Sequence, residues 1–115
     1  SYLTPEIIET ASQAELYNML IFGIDNDFII DEFVYCKSKN ASDFIHNINI
    51  STLITIFSCM KNSDAAFHLM TYFVENRANE IIPYTNLILK SIINEEIVER
   101  LKPLFVLCSL VGDNK

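Results

Sequence analysis

Two histidines are the first residues in this chain that could carry chemistry. His46 and His68 each lie beside aromatic or aliphatic residues in a segment that we predict to be helical. Neither has a cysteine or a carboxylate at the spacing of a shared metal site or of a catalytic triad. A structural histidine, at the surface or half-buried, is therefore favoured over a metal ligand at both positions.

An acidic cluster follows the first glycine and has the charge density of a calcium-binding loop. Its members are Asp25, Asp27, Asp31 and Glu32. Counted from Asp25, a calcium loop needs an oxygen ligand at its fifth position, glycine at its sixth and glutamate at its twelfth. The chain has Ile29, Ile30 and Cys36 there. We therefore interpret the cluster as a helix cap and a solvated helix face, and predict no metal site.

Three glutamates, Glu95, Glu96 and Glu99, fall in the first turns of a predicted helix. The positive end of the helix dipole favours carboxylates there, so acid–base catalysis is not needed to explain them. Glycine-rich phosphate loops are absent from the sequence, since Gly23 and Gly112 stand alone. We expect the protein not to be an enzyme and to bind no cofactor.

The composition describes one acidic globular domain. A length of 115 residues, half of them apolar, suits a single helical domain spanning residues 1–115. Because it begins at Ser1 rather than at methionine, we interpret it as a domain excised from a longer protein. Eight basic and 15 acidic residues give a formal charge of −7, which repels a phosphate backbone. We expect no direct binding of nucleic acid.

The cysteines and the longest uncharged stretch indicate the cellular environment. Cys36, Cys59 and Cys108 are far apart and stand in apolar stretches, which is typical of buried thiols in a reducing, intracellular compartment. Residues 44–60 carry no charge but include asparagine, serine and threonine throughout. Such polar groups are costly inside a bilayer, so we predict no membrane span.

Helix signals dominate the chain. It has two glycines and three prolines, which favours helices joined by short polar loops. Thr4 stands directly before a proline, a good helix start, and Ser12 with Glu15 forms a capping-box pattern. We predict one helix or a kinked pair over residues 5–22, ended by Gly23 in a left-handed cap.

Further helices are predicted along the rest of the chain. Their starts fall at Asp25 to Asp27, Ser42 with Asp43, Ser51, Ser63 with Asp64, Pro83 and Asn94. Residues 54–57 have strand-forming composition, so a strand is the alternative there. The helix after Pro83 is predicted to bury Leu87, and Pro103 predicts a kink or break near Lys102. The predicted fold is all-α, a compact bundle or short stack of about six to eight antiparallel helices.

Apolar residues exceed what a small globule can cover, with eight phenylalanines and five tyrosines. Contiguous exposed apolar surface marks protein-binding sites. Residues 101–111 are apolar nearly all round, which predicts either a central buried helix or a helix shared with a partner. A second candidate surface lies around the first helix junction. The predicted partner-binding residues are Phe22, Phe28, Tyr35, Leu104, Phe105 and Leu107.

The order of these segments is similar to that of a known family. A leucine-rich helix at 16–22 ends in a polar step, and apolar helical segments follow at 29–34, 43–48 and 53–57. The order resembles the C-terminal helical domain of WD-repeat subunits of the small-subunit processome, over roughly residues 15–110. Residues 77–83 depart from the longer helix expected there. The resemblance implies a stack of helix pairs that joins subunits during early ribosome assembly in the nucleolus, without catalytic residues.

We predict that the protein is a non-catalytic protein–protein interaction or assembly module of a multisubunit complex. Its expected partner is a sister subunit or a second copy of itself. The resemblance places it in small ribosomal subunit biogenesis, in the nucleus or nucleolus; without it we expect the cytoplasm. The alternative is a helical groove protein that binds an amphipathic helix, as a viral or cellular death regulator does.

Overall fold

The computed structural model describes residues 4–35 and 38–113, except the side chains of Asp27, Phe28 and Asp113. Its helices are α1 (Pro5–Thr10), α2 (Gln13–Phe22), α3 (Asp27–Val34), α4 (Lys39–Asn47), α5 (Ile50–Cys59), α6 (Ser63–Asn76), α7 (Ala78–Ile81), α8 (Thr85–Ser91) and α9 (Glu95–Asp113), with a 3₁₀ turn at Ile82–Tyr84. Apart from the single-turn α7, these ranges contain eight α-helices and no strand. The predicted all-α fold is confirmed, and the alternative strand at 54–57 is wrong because those residues belong to α5.

Side-chain caps fix the first two helix starts where the sequence predicts them. The Thr4 hydroxyl accepts the Ile7 N–H at 3.2 Å, one residue ahead of the proline that opens α1. At α2 the Glu15 N–H donates to the Ser12 hydroxyl at 3.1 Å, and the Ser12 N–H donates to the Glu15 carboxylate at 2.7 Å. This reciprocal pair satisfies two N–H groups that a helix end leaves without partners.

Three later helices are capped by earlier residues than predicted. The caps are Ser38 for α4, Asn49 for α5 and Asn62 for α6. Each accepts N–H groups of the first turn; Asn49, for example, accepts the Thr52 N–H at 2.8 Å. The predicted caps at Ser42, Ser51 and Ser63 are therefore wrong, although α6 does begin at Ser63. Asparagine and serine cap almost equally well, so the first of several polar residues takes the position.

The glycine predictions also need correction. Gly23 follows α2 but has a φ of −102°, so it is not a left-handed cap. A Cβ at this position would clash with the Ile29 side chain, which explains the glycine by close packing. Gly112 lies inside α9 rather than ending it, and a Cβ there would clash with Ile82. Pro103 lies within the same uninterrupted helix, so the alternative of a break near Lys102 is wrong.

Three helices, α3, α6 and α9, lie side by side at the centre of the molecule, and we call them the row. α6 packs against α3 and against α9, while α5 packs against α8 and α1 packs against α4. The N-terminal turns of α6 and α9 meet, because the Ser63 hydroxyl donates to Glu96 at 3.0 Å and Arg100 pairs with Asp64. α6 and α9 are therefore parallel, so the prediction of antiparallel helices is wrong for this pair. The row and the remaining helices together enclose the core. Its largest fully buried side chains are Phe33, Phe57, Phe73, Ile8, Leu16, Leu20, Ile30, Ile45, Leu53, Ile56, Leu69 and Met70.

Three loops are joined side by side at the edge where α3, α6 and α9 begin. The Asp25 carboxylate accepts the N–H groups of Lys61 at 2.6 Å and of Asn62 at 2.8 Å. The Asn62 amide donates back to the Asp25 carbonyl at 2.9 Å, and the Asn94 amide donates to the Lys61 carbonyl at 3.4 Å. We call this set the loop ladder. It aligns the starts of the three row helices.

Candidate protein-interaction surface

The histidines have separate positions. His46 is exposed on α4, whereas His68 on α6 is half-buried and places its Nδ1 3.0 Å from the Asp31 carboxylate on α3. The Tyr35 ring lies over the imidazole, with 5.2 Å between ring centroids. The same Asp31 oxygen is buried and accepts no hydrogen bond, so the contact with His68 is close but poorly aligned for one. This cluster joins two row helices.

Metal-ligating groups do not gather. Among the described residues, no three or more histidine, cysteine, aspartate or glutamate side chains are placed to share an ion. Of the acidic cluster, Asp25 belongs to the loop ladder and Asp31 contacts His68. The side chain of Asp27 lies outside the described part of the chain.

The cysteines differ from one another. Cys108 is buried, as predicted, and its thiol donates to the Ala78 carbonyl at 3.5 Å. Burial raises the pKa of this thiol above its ordinary value, because the charged thiolate loses solvation. Cys59 is exposed, so the prediction of burial is wrong there, since it lies on the outward side of the last turn of α5. Cys36 lies outside the described residues.

The six predicted partner-binding residues lie in different environments. Phe22 at the end of α2 is 89% exposed, and Tyr35 and Leu107 are also exposed. Leu104 and Phe105 are buried in the core, because they face α9's neighbours, so they do not form surface. The Phe28 side chain lies outside the described set. The three exposed residues belong to three separate elements and form no single patch by themselves.

α9 carries a larger exposed apolar face than the prediction identified. Val106 is 65% exposed, Leu107 48% and Leu110 58%, and the exposed Pro103 precedes them at helical spacing. We call these four residues the apolar half. The buried positions 97, 101, 104, 105 and 108 follow one helical stripe and leave the apolar half on the opposite side, but the sequence itself does not distinguish the two sides, because residues 101–111 are apolar nearly all round.

The first turns of the same face are acidic. Glu95, Glu96 and Glu99, which we call the acidic half, are all exposed after the N-cap Asn94, whose side chain accepts the Glu96 N–H at 2.9 Å. Lys102 donates to Glu99 at 2.8 Å, and this hydrogen bond raises the pKa of the Lys102 ammonium. The exposed face of α9 thus changes along its length from acidic to apolar.

Arg100 lies one helical turn after Glu96, on the flank of α9 that contacts α6. Its guanidinium pairs with Asp64 and lies 4.7 Å from the centroid of the Phe67 ring. Both contacts hold the first half of α9 against α6. The charge of Arg100 is therefore engaged with Asp64 within the domain.

A shallow groove of about 510 Å³ runs between α5 and α8. Its apolar lining consists of Ile50, Ile54, Tyr84 and Leu87. Leu87 is half exposed there, so the prediction that it is buried is wrong; α8 turns Ile88 inward instead.

A buried arginine closes the floor of this groove. Arg77 donates two hydrogen bonds to the Glu80 carboxylate, at 2.9 and 2.7 Å, and lies 5.5 Å from the centroid of the Phe73 ring. The Arg77 hydrogen bond lowers the pKa of the Glu80 carboxyl. Because the guanidinium is paired inside the domain, it is not free to anchor an acidic ligand.

A second cavity, of about 570 Å³, opens beside the loop ladder. Met60, Lys61 and Ile93 line it, and Ile93 is 89% exposed. Nothing charged is buried in its lining, so it has no built polar site.

Comparison with known proteins adds no family. No protein-family model matches the chain, and neither does any curated protein or any solved structure. Within residues 4–35 and 38–113, no helix combines the length and the apolar character needed to cross a bilayer. The function is therefore argued from the surface of the domain itself.

Proposed function

We propose that this domain is a non-catalytic protein–protein interaction and assembly module of a multisubunit complex, and that it binds its partner through α9. The observation that supports the proposal is the apolar half, Pro103, Val106, Leu107 and Leu110, exposed on one helix face. Contiguous apolar surface of this kind is typical of binding sites rather than of free surface.

The position of α9 in the row strengthens this proposal. Stacked helical proteins bury the faces between successive units and need a polar outer face where the stack ends. Among the described residues, α9 packs on α6, α7, α8 and the 3₁₀ turn. Its opposite face has the apolar side chains of an internal unit, and none of the described helices covers it. A partner that covers this face would extend the row.

The size of the effect can be estimated from the exposed side chains. Full burial of a valine or leucine side chain contributes roughly 1.5–3 kcal/mol, so covering the remaining half of each contributes about 1 kcal/mol. Val106, Leu107 and Leu110 together then supply about 3 kcal/mol, which is on the order of a hundredfold in affinity. Substitutions that remove these side chains should therefore weaken the affinity for a partner by a measurable factor.

The resemblance to processome subunits supplies a more specific form of the proposal. In that form the complex is the one that assembles the small ribosomal subunit, the partner is a sister subunit, and the domain acts in the nucleolus. Support comes from the segment order over residues 15–110 and from the stacked helices, which are compatible with subunit joining.

Site-specific photo-crosslinking tests the proposal. A benzophenone amino acid in place of Leu107 should give a discrete crosslinked product in cells, and the same residue in place of the exposed Thr10 on α1 should not. Val106→Ser with Leu110→Ser should remove the product. The matched control, Ile7→Ser with Ile93→Ser, also replaces two exposed apolar residues and should keep it. Absence of any product from Leu107, in correctly folded protein, would contradict the proposal.

The groove between α5 and α8 supports a second candidate function, capture of an amphipathic helix by Ile50, Ile54, Tyr84 and Leu87. Leu87→Glu places a charge in this groove and should abolish partner binding in that case. If α9 is the binding surface, Leu87→Glu should leave the Leu107 crosslink intact.

A further inference from the structure

We infer that the partner segment on α9 is an α-helix of opposite charge pattern, with apolar residues over the apolar half and lysine or arginine over the acidic half. The inference rests on the proposed function, because it describes the partner of the same face. It adds the chemistry by which α9 would distinguish one helix from another.

The first argument is the extent of the contact. Three partly exposed apolar side chains and a proline form too small a contact for a specific complex, which normally buries more than about 1,000 Å². α9 has 19 residues, so it is about 28 Å long. A helix that reaches the usual area on this face must run along most of that length. It therefore covers the acidic half as well as the apolar half.

The second argument is the uncompensated charge. Glu99 pairs with Lys102, and the charge of Glu95 also acts on this ammonium, although neither Glu95 nor Glu96 has a basic side chain within ion-pair distance among the described residues. Glu96 accepts the Ser63 hydroxyl, a neutral donor. Three carboxylates against one lysine thus leave a net charge of −2 on this half for a partner's cations. Covering them with apolar or acidic residues would cost affinity, since charges need partners when water is excluded.

The third argument excludes a second copy of this chain as the best occupant. In a parallel pairing of two α9 helices, the acidic halves would face each other. In an antiparallel pairing over the full length, Glu95 and Glu99 would lie on the other copy's apolar half. Both arrangements desolvate more carboxylates than the two Lys102 side chains can pair, and the chain's net charge of −7 adds repulsion. A separate basic segment avoids both costs.

Two designed peptides test the charge pattern directly. Both are amidated 20-residue helices with the same leucine stripe in one half, and the other half carries lysine in the first peptide and glutamate in the second. Binding to the full chain is measured by fluorescence anisotropy. The lysine peptide should bind at least ten times more tightly, and added salt should weaken it, because exposed charges are screened.

Matched variants locate the effect. Glu95→Gln with Glu96→Gln should weaken binding of the lysine peptide several-fold and reduce its salt dependence. Glu6→Gln with Glu75→Gln changes the net charge equally at exposed positions on α1 and α6 and should have little effect. Val106→Ser with Leu110→Ser should weaken binding of both peptides.

The outcomes separate this inference from the proposed function. If the Leu107 crosslink forms but the two peptides bind equally, or the Glu95 and Glu96 variant binds the lysine peptide normally, the α9 face stands and the charge pattern is overturned. If the crosslinked product is a dimer of this chain, the inference is likewise overturned. If the crosslink is absent, the proposed function fails with it.

Discussion

α6 and α9 lie side by side in the row, yet they differ in how many of their faces are covered by other helices. α6 has a row neighbour on each of two sides and buries Ala65, Ala66, Leu69, Met70, Phe73 and Val74. α9 is at the end of the row and leaves Val106, Leu107 and Leu110 exposed. Both helices are rich in apolar residues on more than one face. The difference shows that the burial of an apolar side chain depends on where its helix lies in the row. The amino-acid composition of the helix does not decide it.

The largest expected effect tests the fully enclosed helix. Phe73→Ala removes a ring that is completely buried on α6 and should lower the free energy of unfolding by about 3–5 kcal/mol. Phe22→Ala removes the same ring from an 89% exposed position and should change it by less than about 0.5 kcal/mol. Urea unfolding of both variants measures the contrast. Similar losses for both would show that Phe22 is packed in solution.

The next test compares two sides of α9 with one substitution. Leu101→Ala opens a cavity against the core and should cost about 2–5 kcal/mol. Leu110→Ala removes the same side chain from the apolar half and should cost less than about 0.5 kcal/mol in the isolated domain. Thermal unfolding followed by circular dichroism gives both values. A large loss for Leu110→Ala would contradict the exposed face on which the proposed function depends.

A smaller effect compares the caps of the same two helices. The Asn62 side chain caps α6 and also donates to Asp25, whereas the Asn94 side chain caps α9 and donates to Lys61 over a longer distance. Asn62→Ala should cost about 2 kcal/mol and Asn94→Ala about 1 kcal/mol. Chemical denaturation measures the difference. A larger loss at Asn94 would show that the end of the row is the more tightly held.

The smallest effect concerns the ion pair under the groove. The pKa of Glu80 is lowered in the folded state, so its contribution is present above the ordinary value of 4.5 and is lost as the pH falls through the lowered value. Since Glu80 is more than half exposed, we expect Glu80→Gln to cost at most about 1 kcal/mol at neutral pH. The difference in the free energy of unfolding between the wild type and Glu80→Gln should disappear in acid. A difference that grew in acid would contradict a lowered pKa of Glu80 in the folded state.

Features set by adjacent residues could be predicted from the sequence. Thr4, the Ser12–Glu15 pair and Asn94 cap the helices that they were expected to cap, because capping needs only three or four neighbouring residues. The all-α fold follows from the same signals. Caps failed where several polar residues competed, as at Ser63, where the preceding asparagine takes the position.

Features set by long-range packing could not be predicted in this way. Residues 101–111 are apolar nearly all round, and the positions of the elements packed against α9 decide that Leu104 and Phe105 are inward while Val106 and Leu110 are outward. Leu87 is half exposed for the same reason, because the packing of α8 turns Ile88 inward instead. The loop ladder joins residues more than 30 positions apart, so no pattern of neighbouring residues predicts it.

The pairing of Arg100 with Asp64 and Phe67 has a consequence for synthesis of the chain. Asp64 precedes Arg100 by 36 residues, so the ribosome completes α6 well before the residue that covers its first turn has been made. During that interval the Phe67 ring and the α9-facing side of α6 are open to chaperones and to other nascent chains. Folding of the row can therefore finish only when its last helix has emerged from the exit tunnel.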